Sequence, residues 1–170
     1  IAWMLDVHIQ EHGYSEIYPP YIVRAQTLFG TGNLPKFAEN LYRDAEDDLW
    51  PIPTAEGPVT NLYRDEILPP GSLPIYHVAY TPCFRREKMS AGKDVRGIKR
   101  GHQFDKVEMF VYSTMEDSYA EHQRLLAWEK MFLDKLELAY RVIDVAAGDL
   151  GLSAQRKFDC EAWVPTQGRY

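Results

Sequence analysis

With 170 residues the chain is long enough for one domain with a real core and too short for two ordinary ones. Its 45% apolar and 26% charged residues are the mix of a globular protein, and no run of about 18 apolar residues is present that would span a membrane. A formal charge of -6 lacks the basic footprint of a general nucleic-acid binder. Apolar segments are short and broken by charge or proline, so no signal peptide is read. Cys83 and Cys160 lie far apart without metal-ligand spacing, which predicts free thiols in a reducing compartment, no metal site and a cytoplasmic protein. Ile1 opens what reads as the interior of a helix, so the chain is expected to be a piece of something longer.

The pattern predicts a helix over Ile1–His12, stopped by Gly13. Tyr14–Ile22 is β-rich but holds Pro19-Pro20, which cannot donate ladder hydrogen bonds, so an edge or interface strand is expected there. A turn-rich loop follows at Gly30–Pro35, then the charge run Arg43–Asp48 and a short strand Leu49–Pro53. Pro58 suits the first turn of a helix running to about Glu66. Ile75–Glu87 and Arg100–Tyr112 alternate like the strands of a long-looped antiparallel hairpin. Ser113-x-x-Glu116 has the form of a capping box ahead of a helix striped by Leu125, Leu126, Phe132, Leu133 and Leu136. Tyr140–Val145 and Lys157–Pro165 read as two more strands. The fold class expected is α+β, an antiparallel sheet flanked by helices.

The hairpin carries the chemistry. Side chains two apart share a face, which groups Ala79, Thr81, Cys83 and Arg85 on one side and Tyr76, Val78, Tyr80 and Phe84 on the other. A face of small residues ending in Arg85 and Glu87 suits a ligand lying against the sheet. On the second strand Arg100, Phe104 and Glu108 share a face, with Phe104 and Glu108 about 13 Å apart at the strand rise. Phe104 offers a stacking ring, Arg85 a planar fork for phosphate and Glu108 a carboxylate for an ammonium. A Phe and a Glu four apart on a strand are more often a packed ring and a solvated carboxylate, so spacing alone does not establish the ligand reading. Cys83 reads as a small wall residue rather than a nucleophile.

Three stretches of the hairpin, Thr81-Pro82-Cys83-Phe84-Arg85-Arg86-Glu87, Ser90–Gly97 and Gly101-His102-Gln103-Phe104-Asp105-Lys106-Val107-Glu108, together resemble motif 2 of class II aminoacyl-tRNA synthetases, in the version of the seryl enzymes. Thr54-Ala55-Glu56 resembles that family's TAE loop, and Gly13–Pro20 its dimer-forming motif 1. Gly148–Gly151 followed by Lys157–Trp163 resembles the strand pair leading to the serine-binding end. The resemblance implies a partial class II catalytic domain over residues 1–170, holding motifs 1 and 2 and lacking the amino-terminal coiled-coil arm and motif 3.

Its implied activity is ATP-dependent activation of serine to seryl-adenylate and transfer to tRNA(Ser), with ATP and Mg2+ required and a homodimer as the working form. The fragment alone is expected to be poorly active. By the same resemblance Arg85, Glu87 and Arg100 are the catalytic set. Arg85 would contact the α-phosphate and serine carboxylate, Glu87 the adenine amino group, Arg100 the γ-phosphate, and Phe104 would stack on adenine. Thr54, Glu56 and Glu108 would bind serine. Lys88, Lys93, Arg96 and Lys99 stand open between contact with the tRNA acceptor end and simple loop solubility. The sequence departs from the family at Lys88-Met89, commonly Ala-Gly, and at Gly57, commonly valine. Two rival readings are an enzyme of this fold that loads an amino acid onto a carrier protein, and a non-catalytic paralogue.

Overall fold

The computed structural model describes residues 1–88 and 100–170, which form two compact units, Ile1–Tyr112 and Ser113–Tyr170. The first unit opens with helix α1 (Ala2–Gln10), and Gly13 at φ +77° makes the turn out of it, a conformation that glycine adopts without a Cβ clash. The β-rich stretch after it divides at its prolines. Strand β1 (Ser15–Glu16) ends before Pro19-Pro20 and β2 (Ile22–Arg24) begins after them, because neither proline can supply a ladder N–H. A helix the sequence reading did not anticipate, α2 (Ala25–Gly30), follows directly on β2. Strand β3 (Leu49–Pro51) then pairs antiparallel with β2. Val23, Leu28, Leu34, Leu41, Trp50 and Ile52 close one core cluster around this hairpin.

Helix α3 (Glu56–Thr60) is one short turn and a half, less than the run to Glu66 expected from Pro58. It leads to the long hairpin of β4 (Ile75–Phe84) and β5 (Gln103–Tyr112), which pair antiparallel in unbroken register from Ile75↔Tyr112 to Phe84↔Gln103. Both strands stop short of the expected limits, so Arg85, Glu87 and Arg100 stand beyond the ladder. β1 joins the outer side of β4 in parallel, Ser15↔His77, giving the order β1-β4-β5. The sheet is therefore mixed where an antiparallel one was expected. The long excursion through β2, α2, β3 and α3 supplies the crossover that parallel pairing requires. A second core cluster of Ala55, Val59 and Ala79, with Ile17 and Phe110 packed on it, fastens α3 to this sheet, and the Tyr112 hydroxyl donates to the Val59 carbonyl.

In the second unit, helix α4 (Ser118–Lys135) is preceded by a reciprocal pair. Thr114 accepts from the Asp117 amide at 3.2 Å and donates to the Asp117 carboxylate at 2.9 Å. This pair orders the turn ahead of the helix one residue after the expected Ser113/Glu116 box, while the N-cap itself, Asp117, makes no side-chain cap bond. Of the expected stripe Phe132 is buried and Leu136 is exposed. Strands β6 (Tyr140–Asp144) and β7 (Phe158–Ala162) form an antiparallel pair, shorter at their ends than the sequence pattern suggests. Both cysteines are free thiols, and among the described residues no helix is long and apolar enough to cross a membrane.

Candidate active site

Register decides the composition of the site. Residues directly opposite on paired strands share a face, so Ala79↔Glu108, Thr81↔Lys106 and Cys83↔Phe104 put the small residues of β4 and the functional residues of β5 on one surface. Ala79, Thr81 and Cys83 are fully buried there, so they form a packed support rather than the open ligand floor that the sequence reading expected. Small side chains on β4 allow α3 and the segment before it to lie close over the sheet. That segment is pinned by Phe84 N–H donating to the Ile52 carbonyl at 2.8 Å and by Arg85 Nε donating to the Pro53 carbonyl at 3.2 Å.

The result brings Thr54 over β5. Its hydroxyl donates to Glu108 Oε2 at 3.0 Å and accepts from Lys106 Nζ at 2.7 Å and from the Glu56 amide at 3.2 Å. Lys106 also forms an ion pair with Glu108. Glu56 keeps its side chain toward solvent, yet its carboxyl is held above the usual carboxylate range. Crowding by protein is the main cause and the neighbouring Glu108 charge the second, with Lys106 pulling the other way. Thr54, Glu56 and Glu108 are therefore brought together as expected. Lys106, midway between Phe104 and Glu108 on the same strand face, completes the group and was not among the expected site residues.

At the other end of the hairpin the Arg85 guanidinium lies over the Phe104 ring, 5.1 Å from its centroid, a cation–π contact. The Arg85 amide donates to the His102 carbonyl at 2.9 Å, one step past the regular ladder. Glu87 sits at φ +51°, an uncommon backbone region for a residue with a Cβ, and its side chain is only 9% exposed. Arg100 Nη1 pairs with its Oε2 at 3.0 Å. Arg100 stands beyond the ladder, which ends at Gln103, and Glu87 is its partner there. Strand parity no longer governs it.

The segment around Asn40 braces this end, accepting from the Arg86 amide at 2.9 Å and, through its side chain, from the Lys88 amide at 3.1 Å. The Tyr42 hydroxyl bonds the His102 ring. All seven expected site residues thus fall in one unit, in two groups: Thr54, Glu56 and Glu108 with Lys106, and Arg85, Phe104, Glu87 and Arg100. The expected Ser90–Gly97 stretch, with Lys93, Arg96 and Lys99, lies outside the described residues.

Residues 37–170 match the family described as the class II tRNA synthetase core domain for glycine, histidine, proline, serine and threonine. The serine–tRNA ligase of Thermomicrobium roseum is 62% identical over 165 residues, covering 97% of this chain and 37% of that protein. That of Roseiflexus castenholzii is 56% identical over the whole chain and 40% of the relative. Among solved structures, seryl-tRNA synthetase from Pyrococcus horikoshii complexed with ATP superposes with a TM-score of 0.94 at 42% identity, over 99% of this chain and 38% of that one. The cytoplasmic serine–tRNA ligase of Naegleria fowleri in complex with AMP gives 0.88 at 31% identity, over 95% and 38%. The chain spans about 40% of the length of these relatives. With an α+β fold, a motif 2 hairpin and a family match over most of its length, the chain belongs to the class II aminoacyl-tRNA synthetases.

Proposed function

We propose that this chain is part of the catalytic domain of a serine–tRNA ligase, which activates serine with ATP and transfers it to tRNA(Ser). The observation that carries this reading is the order of groups along one sheet face. Phe104 with Arg85 stands at one end and the Glu108–Thr54 pair at the other, matching an adenylate with its base at one end and its ammonium at the other. Both compact units would belong to that one domain, with motifs 1 and 2 inside the chain. The ATP and AMP named with the two solved relatives support a nucleotide at the Phe104 end.

In this reading adenine stacks on the face of Phe104 turned away from Arg85, and Glu87 receives its amino group. Arg85 faces the α-phosphate and the serine carboxylate, while Arg100 leaves its pairing with Glu87 to meet the γ-phosphate. Thr54, Glu56 and Glu108 receive serine. The serine carboxylate attacks the α-phosphorus in line and pyrophosphate leaves, after which the terminal hydroxyl of the tRNA attacks the adenylate. No covalent enzyme intermediate is needed, so the protein contributes positioning and charge stabilisation. Mg2+ would arrive on the nucleotide phosphates, at the end of the site that holds Arg85 and Arg100. The ion supplies charge neutralisation on the polyphosphate.

The same reading places the protein in the cytoplasm as a homodimer joined through Gly13–Val23. The decisive assay is amino-acid-dependent exchange of pyrophosphate into ATP by the full-length parent, followed by transfer to tRNA. Exchange with serine and charging of tRNA(Ser) is the expected result. Exchange with alanine or glycine and transfer to a carrier protein would establish the carrier-protein ligase instead, and no exchange would establish the non-catalytic paralogue.

A further inference from the structure

The Thr54 hydroxyl has one proton to give and two lone pairs to receive with. All three are in use: it donates to Glu108, and it accepts from the Glu56 amide and from Lys106 Nζ. Lys106 at the same time pairs with the Glu108 oxygen that Thr54 bonds. A primary ammonium is thus already seated on the two side chains that the proposed function assigns to the ammonium of serine. A second ammonium cannot bond Thr54 until this one leaves. The exchange is electrostatically even, because one positive charge replaces another beside Glu108 and Glu56, and the Glu56 carboxyl stays in a mixed field of Glu108 and a cation throughout.

We infer that Lys106 is a resident stand-in for the substrate ammonium, a positioning residue whose side chain holds Thr54 and Glu108 in their binding arrangement and must yield its place when the amino acid arrives. The inference rests on the serine-binding reading of Thr54 and Glu108. It assigns Lys106 a cost in affinity that a purely structural residue would not have. With Lys106 gone, an incoming ammonium no longer competes with an internal one. Lys106 is partly exposed, with its side chain 31% accessible, which gives the displaced chain water to enter.

The test uses the full-length parent with Lys106→Met, which keeps the unbranched stem and removes the charge. The probe is ethanolamine, which keeps the ammonium and hydroxyl of serine and has no carboxylate for a displaced lysine to attract. Its inhibition of serine-dependent pyrophosphate exchange is measured in both proteins, with ATP affinity as the control for folding. The expected result is ethanolamine binding about 2- to 5-fold tighter in the variant, the size of a partly exposed ion pair, with ATP affinity unchanged. Equal or weaker ethanolamine binding in a variant that still binds ATP would overturn the stand-in role and leave Lys106 a simple brace. Loss of ATP binding calls for Lys106→Gln, read by the same criterion. Absence of serine-dependent exchange in the wild-type parent would instead remove the serine reading itself, and the two failures are told apart by that single control.

Discussion

Glu108 accepts a hydroxyl proton from Thr54 and an ammonium from Lys106, so its carboxylate is held in a geometry made for cations before any ligand arrives. Glu108→Gln in the parent enzyme is expected to weaken serine binding more than ATP binding. A charge-assisted hydrogen bond is worth about 1.5–3 kcal/mol, roughly a 10- to 150-fold loss, while Phe104 and Arg85 remain in place for the nucleotide. Calorimetry with each substrate measures the split, and unchanged serine affinity would remove Glu108 from the serine site. Residue types and parity were enough to select Phe104 and Glu108 from the sequence. They did not show that the buried small residues of β4 face the same way, because that depends on the register Ala79↔Glu108, set by pairing far along the chain. Lys106 escaped for a different reason. A lysine on a strand reads as a solvated charge until a partner from another segment, here Thr54, is placed over it.

At the scale of elements, the strands were legible and their ends were not. Alternation continues through Arg85 and Glu87, yet the ladder stops at Phe84, and beyond Arg85 the Asn40 segment takes over as partner for the Arg86 and Lys88 amides. Helix α2 left no usable signal because six residues cannot display a helical period. Gly57, where the family commonly has valine, sits in the first turn of α3 with its absent Cβ pointing toward Leu28. A methyl there meets Leu28 Cδ2 at 3.7 Å, an ordinary contact. Gly57→Ala is therefore expected to stabilise the parent by about 0.4–1 kcal/mol through the loss of unfolded-chain freedom, measured as a later chemical-denaturation midpoint.

Helix α1 carries an opposite sensitivity. Burial, and secondarily the adjacent His12, pushes the proton affinity of His8 down to about 4 from an ordinary 6.5. His8 is packed edge-on against the rings of His12 and Tyr14, with its Nδ1 3.1 Å from that of His12. The folded state resists protonation that the unfolded chain accepts, so this contribution to stability is whole above about pH 6.5 and is lost as the pH falls toward 4. Thermal midpoints of the parent across that window should fall less steeply for His8→Gln than for the wild type. Identical slopes would show that His8 does not titrate in the transition.

For the molecule as a whole, the order of motifs along the chain was readable, since each is carried by contiguous stretches of eight residues or fewer. The parallel docking of β1 was not, because it joins positions separated by most of the first unit. That docking changes the argument for a dimer. Of the apolar residues in Gly13–Val23, Val23 is inside the core, and Ile17 and Tyr21 are partly buried against the two core clusters, so these three offer little surface to a partner. Tyr18 at 82% and Ile22 at 57% exposure remain, set on either side of the rigid Pro19-Pro20 pair. Two large apolar side chains on a stretch that cannot fray into solvent-bonded strand make a small, shape-fixed contact, the kind that anchors an interface without building the fold. The parent is expected to run as a dimer in light scattering at micromolar concentration. Tyr18→Asp combined with Ile22→Asp should shift it toward monomer while leaving the fold intact by circular dichroism, because neither side chain belongs to a core cluster. A wild-type monomer would refute the dimer itself, and a dimer unaffected by both substitutions would move its interface away from this segment.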